Sequence, residues 1–171
     1  MIDIKKYILD VQHFPLPGID FKDVTPILTN PEVFQQVVDQ MSEFVLDCQA
    51  DAIVAPEARG FIFASAVAYK TKKKLVLIRK PGKLPRPVFD VSYDLEYGSN
   101  HLQVHQDDLK NGDKVVIVDD ILATGGTIEA IRELVKMQDA KIVGLSVVGD
   151  LTKLHPNINF DDIRFQALVE Y

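Results

Sequence analysis

Apolar and polar residues follow one another along the chain in an order that predicts two strand–helix–strand units. Residues 52–55 form a short apolar run, residues 60–69 are rich in Ala and Phe, and residues 75–78 form a second apolar run. The same order returns over residues 115–148. Because such units place parallel strands side by side with helices on both faces, the chain is predicted to be an α/β three-layer sandwich with a mostly parallel central sheet.

A further helix is predicted to begin at Asn30, since Asn as N-cap followed by Pro31 at the first helical position is a typical start. Beyond it, apolar residues recur every three or four positions and form one stripe: Val33, Val37, Met41, Phe44, Val45 and Cys48. Cys48 is interpreted as a buried core thiol, because no cationic residue adjoins it to make the thiol reactive.

Residues 81–100 are predicted to form a long loop, since they contain Pro and Gly and few apolar pairs. Loops of this length are usually functional lids or disordered segments. His101 and His105 have the spacing of a metal pair on a helix, but Leu102 and Val104 alternate with polar residues as in a strand. A strand separates the two imidazoles by about 13 Å, so they are not expected to share one ion.

The composition excludes several classes of protein. The 171 residues, 47% hydrophobic and 26% charged, fit one ordinary globular domain. The net charge of −6 has the wrong sign for a partner such as nucleic acid or an anionic membrane. A single Cys allows no intramolecular disulfide, the first residues include acids where a secretory signal is apolar, and no apolar run approaches about 18 residues. A cytoplasmic location is therefore expected.

The strongest chemical signal follows the apolar strand over residues 115–118. Two adjacent carboxylates, Asp119 and Asp120, come first, and a turn of small and hydroxylated residues then opens onto a helix. The residues of that turn are Ala123, Thr124, Gly125, Gly126 and Thr127. Backbone N–H groups at a glycine-rich helix start bind phosphate without any Lys. The Gly-Gly pair alone would favour an ordinary turn, but its combination with the paired acids favours a phosphate site.

The paired acids narrow the class of ligand. A carboxylate beside a phosphate would repel it, so Asp119 and Asp120 are expected to accept hydrogen bonds from sugar hydroxyls or to contact a hydrated divalent ion. A phosphorylated sugar would offer hydroxyls to the two carboxylates and a phosphate to the turn.

Residues 115–127 resemble the phosphoribosyl-diphosphate-binding motif of the type I phosphoribosyltransferase family. Four other segments are similar to those of the family members that act on adenine, namely residues 14–26, 57–61, 79–85 and 93–98. The resemblance covers nearly the whole chain. It implies a single domain over residues 1–171 with the type I phosphoribosyltransferase fold, a small N-terminal hood that binds the base over about 1–30, a flexible lid loop over about 81–103, and a homodimer.

The resemblance also implies a reaction that depends on Mg²⁺. N9 of adenine displaces pyrophosphate from 5-phosphoribosyl 1-diphosphate (PRPP) and gives AMP, with the metal carried by the diphosphate and no direct protein ligand. Residues 123–127 would hold the 5′-phosphate, and Asp119 and Asp120 the ribose hydroxyls. The implied pyrophosphate ligands are Arg59, Lys80 and Lys83, and part of this basic set is expected to serve the neighbouring subunit of the dimer. A cis peptide bond between Glu57 and Ala58 is expected by the same resemblance.

The resemblance also implies roles for residues that bind the base and for residues in the lid. Phe21 would stack on adenine, with backbone groups around Asp20 reading the base edge, and Lys22 stands where relatives often have Arg. Glu96 would handle a proton at N7 or N9 of the base, and Tyr97 would pack over the reaction centre.

Less specific interpretations remain for these residues. The three cations can be solvated loop charges, Phe21 an ordinary packing aromatic, and Glu96 an exposed acid in a hairpin. Two other functions also stay open. One is the same transfer to hypoxanthine, guanine or xanthine, which the segment over residues 17–23 disfavours. The other is a non-catalytic PRPP sensor joined to a DNA-binding unit, which the acidic charge and the short chain disfavour.

Overall fold

The computed structural model describes residues 2–95, 98–156 and 158–171. Short 3-10 helices lie at Ile4–Tyr7 and Thr152–Leu154. The other elements, in chain order, are β1 (Leu9–Gln12), β2 (Asp20–Asp23), α1 (Thr25–Leu28), α2 (Pro31–Asp47), β3 (Ala52–Pro56), α3 (Gly60–Thr71), β4 (Lys74–Ile78), β5 (Val88–Leu95), β6 (Gly98–His105), β7 (Lys114–Leu122), α4 (Gly126–Lys136), β8 (Lys141–Asp150) and β9 (Arg164–Glu170).

Five parallel strands form the central sheet in the order β4-β3-β7-β8-β9. The strands of both predicted units are therefore confirmed, and β9 adds an edge strand that the sequence analysis did not predict. The central strands have continuous apolar runs because both faces of a parallel sheet are covered. All of β3 is buried, as are residues 115–118 of β7.

Helices cover both faces, which confirms the three-layer sandwich. On one face α2 and α3 pack together, and α2 carries the stripe predicted from the sequence, with Val33, Val37 and Met41 completely buried. The predicted N-cap is also confirmed, since Oδ1 of Asn30 accepts a hydrogen bond from the Val33 amide at 3.2 Å. On the other face lie α4 and the hairpin of β5 and β6.

The region expected to be a long loop is mostly this antiparallel hairpin, paired from Val88 with His105 to Leu95 with Gly98. Its apolar residues alternate and bury one face, with Val91, Leu102 and Val104 packed into the same core cluster as α4. The burial of this face explains why the segment forms strands despite its Pro and Gly content. The strand expected around Leu102 and Val104 is thereby confirmed.

The two histidines of the hairpin have separate partners. Nδ1 of His101 lies 2.7 Å from Asp90 Oδ1, whereas Nδ1 of His105 lies 2.9 Å from Arg86 and 3.1 Å from Asp108. Both histidines lie in β6, which is the strand that the sequence predicted for them.

The N-terminal segment forms a second hairpin, in which β1 and β2 pair antiparallel from Leu9 with Asp23 to Gln12 with Asp20. The turn between them contains a cis peptide bond at Phe14–Pro15. Across the described part of the chain, the helices are too short or too polar to span a lipid bilayer.

Candidate active site

The carboxylates that the sequence analysis singled out lie within the last residues of β7, which runs four residues beyond the apolar core of the strand to Leu122. Asp120 is buried, and its backbone N–H donates a hydrogen bond of 2.8 Å to Oδ1 of Asp119. The Asp119 side chain lies against the first turn of α3, where a Cβ on Gly60 would come within 2.8 Å of Asp119 Oδ1. A glycine is therefore needed at this position for the carboxylate to reach the helix start.

Asp119 is a strongly perturbed acid. Its pKa is raised well above the ordinary carboxyl value, chiefly because the surrounding protein atoms desolvate the ionised form and secondly because the Asp120 charge repels it. The amide of Asp120 and the more distant Arg59 charge act in the opposite direction but do not outweigh these effects. Perturbed carboxyl groups at a ligand edge are typical of functional sites.

Arg59 joins the acids to the N-terminal hairpin. It is the N-cap residue of α3, and its Nε lies 2.7 Å from Oδ2 of Asp120 in an ion pair. Its guanidinium carbon lies 4.7 Å from the centroid of the Phe21 ring. Among the residues that the structure describes, none accepts a hydrogen bond from the buried Nη1 of Arg59. A donor thus remains available for an anionic ligand beside Asp120.

The predicted phosphate turn lies between β7 and α4. Gly125 is the N-cap of α4 with φ of 82°, and as a glycine it has no side chain with which to cap the helix start. The Gly125 carbonyl accepts a hydrogen bond from the Ile128 amide at 2.9 Å, which closes the first helical turn. The Thr124 side chain is exposed and that of Thr127 is half-buried. A left-handed glycine and an uncapped helix start together form a cradle for an anion.

Two residues without a predicted role border this turn. A Cβ on Gly126 would lie 3.3 Å from the ring of Tyr93, and a Cβ on Gly125 would overlap Cδ1 of Ile158. Tyr93 lies in a segment that carried the family resemblance, whereas no sequence signal pointed to Ile158. Ile158 contacts Gly125 because the segment after β8 folds back over the turn.

The turn at the end of β3 contains the expected cis peptide bond between Glu57 and Ala58. Glu57 links this turn to the end of β4, because its carboxylate accepts hydrogen bonds from the Lys80 amide at 2.6 Å and from Nη2 of Arg79 at 2.9 Å. Burial disfavours ionised Glu57, but the Lys80 amide and the Arg79 guanidinium outweigh that cost and lower its pKa. The Lys80 and Lys83 side chains are exposed. Sequence reasoning missed the pairing of Glu57 with Arg79.

The structure separates the three residues expected to bind the base. Phe21 is half-buried and packs edge-on against Phe14, with ring centroids 5.2 Å apart, while Asp20 is exposed. Lys22 lies elsewhere: its Nζ pairs with Asp10 and lies 3.9 Å from the Tyr171 ring centroid. Successive side chains of a strand point to opposite faces, so the Lys22 ammonium is on the other side of β2 from Phe21.

Glu96 and Tyr97, expected to act from the lid, lie outside the described residues. In the part of the chain that is described, no three His, Cys, Asp or Glu side chains are grouped closely enough to hold a metal ion.

The chain is similar to known proteins along its whole length. The profile of the phosphoribosyl transferase domain matches residues 23–168. An adenine phosphoribosyltransferase of Mesoplasma florum is 58% identical over 170 residues, covering 99% of this chain and 100% of that protein. The crystal structure of adenine phosphoribosyltransferase from Thermoanaerobacter pseudethanolicus, 38% identical, aligns with a TM-score of 0.93 over 98% of each chain. That of the Saccharomyces cerevisiae enzyme, complexed with an imino-altritol bisphosphate and adenine, has a TM-score of 0.87 at 33% identity, covering 95% of this chain and 94% of that chain.

Proposed function

This chain belongs to the phosphoribosyltransferase family, and we propose that the edge of its central sheet carries out the transfer named for its adenine-specific members. In that reaction the 5-phosphoribosyl group of PRPP passes to adenine, giving AMP and pyrophosphate for purine salvage. One observation carries the assignment to this site. The paired acids Asp119 and Asp120 lie at the carboxyl end of a central parallel strand and lead directly into the turn around Gly125.

The turn over residues 123–127 binds the 5′-phosphate. Its backbone N–H groups and the hydroxyls of Thr124 and Thr127 donate to the phosphate oxygens, and the positive end of the α4 dipole adds to the attraction. Each hydrogen bond to a charged group contributes about 1.5–3 kcal/mol. An acidic protein can therefore hold this anion locally without lysines in the turn.

Asp119 and Asp120 accept hydrogen bonds from the ribose hydroxyls and orient the anomeric carbon toward the base. Their negative charge also favours the oxocarbenium-like character that develops at that carbon. Arg59 contacts the diphosphate, with Lys80 and Lys83 adding positive charge around it. Because Arg59 and a ribose hydroxyl both compete for Asp120, binding of the diphosphate to Arg59 leaves the carboxylate free for the sugar.

Phe21 supplies the stacking surface for adenine and the backbone around Asp20 reads its edge, so the hairpin of β1 and β2 is the base-binding hood. Lys22 supports this hood from its other face through Asp10 and Tyr171. Residues 81–103 form the lid. In it, Glu96 handles the proton of the attacking base and Tyr97 covers the reaction centre, which excludes water from the activated sugar.

The Mg²⁺ on which the transfer is expected to depend would be carried by the diphosphate, beside Asp119 and Asp120. The donor set fits this role, because among the described residues Asp119 and Asp120 are two carboxylates that no third His, Cys, Asp or Glu joins in a group, which suits a hydrated ion better than a protein cage. When bound, the metal neutralises the diphosphate charge and so favours its departure. A cytoplasmic location agrees with the single buried thiol, Cys48.

The enzyme acts as a homodimer. Support comes from the outer face of α3, where Ile62 and Tyr69 have 42% and 88% of their surface exposed while the opposite face of the helix is buried. A second copy of the chain would cover this apolar stripe. Ile62→Glu is expected to yield monomers in light scattering, whereas Met137→Glu, at a residue 47% exposed directly after α4, leaves the mass unchanged.

The decisive experiment incubates the purified protein with Mg²⁺, PRPP and adenine and follows AMP and pyrophosphate by chromatography. AMP formation is expected, and its absence beside an active reference enzyme overturns the proposal. Hypoxanthine, guanine and xanthine compete in the same assay. Preferential conversion of one of them would keep the transfer but change the base. Binding of PRPP without turnover, together with DNA binding, would support a sensor instead.

A further inference from the structure

The segment that follows β8 forms a roof over the phosphate turn. This roof consists of residues 151–156 and 158–163. Ile158 is half-buried, and its Cδ1 occupies the place that a Cβ on Gly125 would take, with Cγ1 3.5 Å from the same point. Gly125 has φ of 82°, a backbone conformation that receives no support from a side chain of its own. The contact with Ile158 therefore packs the glycine that shapes the cradle.

A buried pair of titratable side chains fastens the roof to the sheet. Asp150 is the last residue of β8, and its Oδ1 lies 2.5 Å from Nε2 of His155. Only 4% of the Asp150 side chain and 8% of the His155 side chain are exposed. The Asp150 carbonyl accepts a hydrogen bond from the Tyr171 amide at 2.9 Å, so this residue is held by the sheet. The pair thus connects a rigid strand end to the roof.

The connection continues from His155 to Ile158. The Ile158 amide donates a hydrogen bond of 3.1 Å to the His155 carbonyl, which closes a turn between the two residues. Phe160 packs edge-on against the His155 ring at 6.1 Å and stacks on Phe165 of β9 at 5.0 Å. The imidazole is therefore held on two sides, and its position determines where Ile158 lies.

We propose that Asp150 and His155 are positioning residues for the 5′-phosphate site, acting through Ile158 on Gly125. This inference rests on the proposed function, because the phosphate is that of PRPP. A fixed Ile158 keeps the left-handed turn in place and shields one side of it from water, which competes with the phosphate for the same N–H groups. Asp20 and Phe21, the residues assigned to the base, lie in β2 and not in the roof, so adenine affinity is expected not to depend on the pair.

The test compares steady-state constants of single variants. Ile158→Ala removes the contact with Gly125, and His155→Leu removes the donor to Asp150. Both are expected to raise the KM for PRPP about tenfold, equivalent to about 1.4 kcal/mol, with kcat within about twofold and the KM for adenine unchanged. His155→Gln retains an N–H donor and is expected to restore the wild-type KM. Leu154→Ala, at a roof residue 53% exposed, is the matched control and changes neither constant.

Calorimetric titration with PRPP separates the failure of this inference from the failure of the proposed function. If the wild type binds PRPP but forms no AMP, the proposed function fails, and the binding constants of the variants still test the roof. An unchanged or higher affinity for PRPP in Ile158→Ala overturns the inference. So does an equal loss of PRPP and adenine affinity in His155→Leu that His155→Gln does not restore, because a general loss of structure would act in that way.

Discussion

Nε of Arg59 lies 2.7 Å from Oδ2 of Asp120. This contact joins a residue assigned to the diphosphate with one assigned to the ribose. The Arg59 guanidinium also lies over Phe21, at 4.7 Å from the ring centroid, so the residue assigned to the diphosphate contacts both the ribose residue Asp120 and the base residue Phe21. Because a planar guanidinium offers an edge for hydrogen bonds and a face for stacking, Arg serves this position in a way that Lys does not.

Arg59→Lys therefore keeps the positive charge but loses the planar guanidinium face that stacks and its second direction of N–H donation. The KM for PRPP is expected to rise at least about tenfold in steady-state assays, because one bidentate, charge-assisted contact is lost. Arg164→Lys is the control, since Arg164 is exposed and its acidic partner Asp47 is 3.9 Å away. An unchanged KM for PRPP in Arg59→Lys would remove Arg59 from the diphosphate site.

Asp119→Asn tests the electrostatics of the strand end. The folded state raises the pKa of Asp119, so above the ordinary value of 3.8 the folded protein binds more protons than the unfolded chain. The free energy of unfolding therefore falls with rising pH until the raised pKa is passed, and it stays reduced beyond it. Asp119→Asn is expected to remove this loss of unfolding free energy, so that the variant is as stable as the wild type or more stable at pH 7. Its transferase activity is expected to fall sharply.

Urea unfolding between about pH 4 and pH 8 measures this effect. Asp162→Asn is a control with the opposite pH dependence. A hydrogen bond from Arg132 lowers the pKa of Asp162, so the stability that the Asp162 carboxylate contributes is lost as the pH falls. If Asp119→Asn instead lowers stability and activity together, the residue has a structural role and the ribose assignment is wrong.

Gly60→Ala tests the close approach of Asp119 to α3. Helix propensity alone predicts that Ala in place of Gly stabilises a helix by up to about 1 kcal/mol. Here the new Cβ would lie 2.8 Å from Asp119 Oδ1 and 3.3 Å from Pro56 Cδ, so the carboxylate must move. The KM for PRPP is expected to rise several-fold, with little gain in thermal stability. Ser65→Ala, at an exposed position of the same helix, leaves the KM unchanged.

Glu96→Gln tests the proton transfer proposed for the lid. Loss of a general acid or base lowers turnover about 10²–10⁴-fold, and a neutral amide of the same shape leaves PRPP binding intact. Single-turnover rates and calorimetric PRPP affinity report the two quantities separately. Glu133→Gln, an exposed acid on α4, is the control. Wild-type turnover in Glu96→Gln would exclude Glu96 from the catalytic step.

Much of the fold is readable from local patterns. Buried parallel strands appear as unbroken apolar runs such as residues 52–55, and the start of α2 is marked by Asn30 and Pro31 in sequence. The hairpin of β5 and β6 was less visible, because Pro and Gly obscure an alternation whose meaning depends on burial against α4. β9 was not predicted at all, since an edge strand half-covered by neighbours has no continuous apolar run.

The sequence by itself determined the parallel sheet, the position of Asp119 and Asp120 at the end of a strand and the phosphate turn beside them, because these features depend on neighbours in the chain. Tertiary structure alone decided which distant residues meet. It brings Arg59 between Asp120 and Phe21, turns Lys22 to the opposite face toward Asp10, and lays Ile158 on Gly125. The order of strands in the sheet and the alternation of side chains along β2 set these contacts, and neither is a property of any single segment.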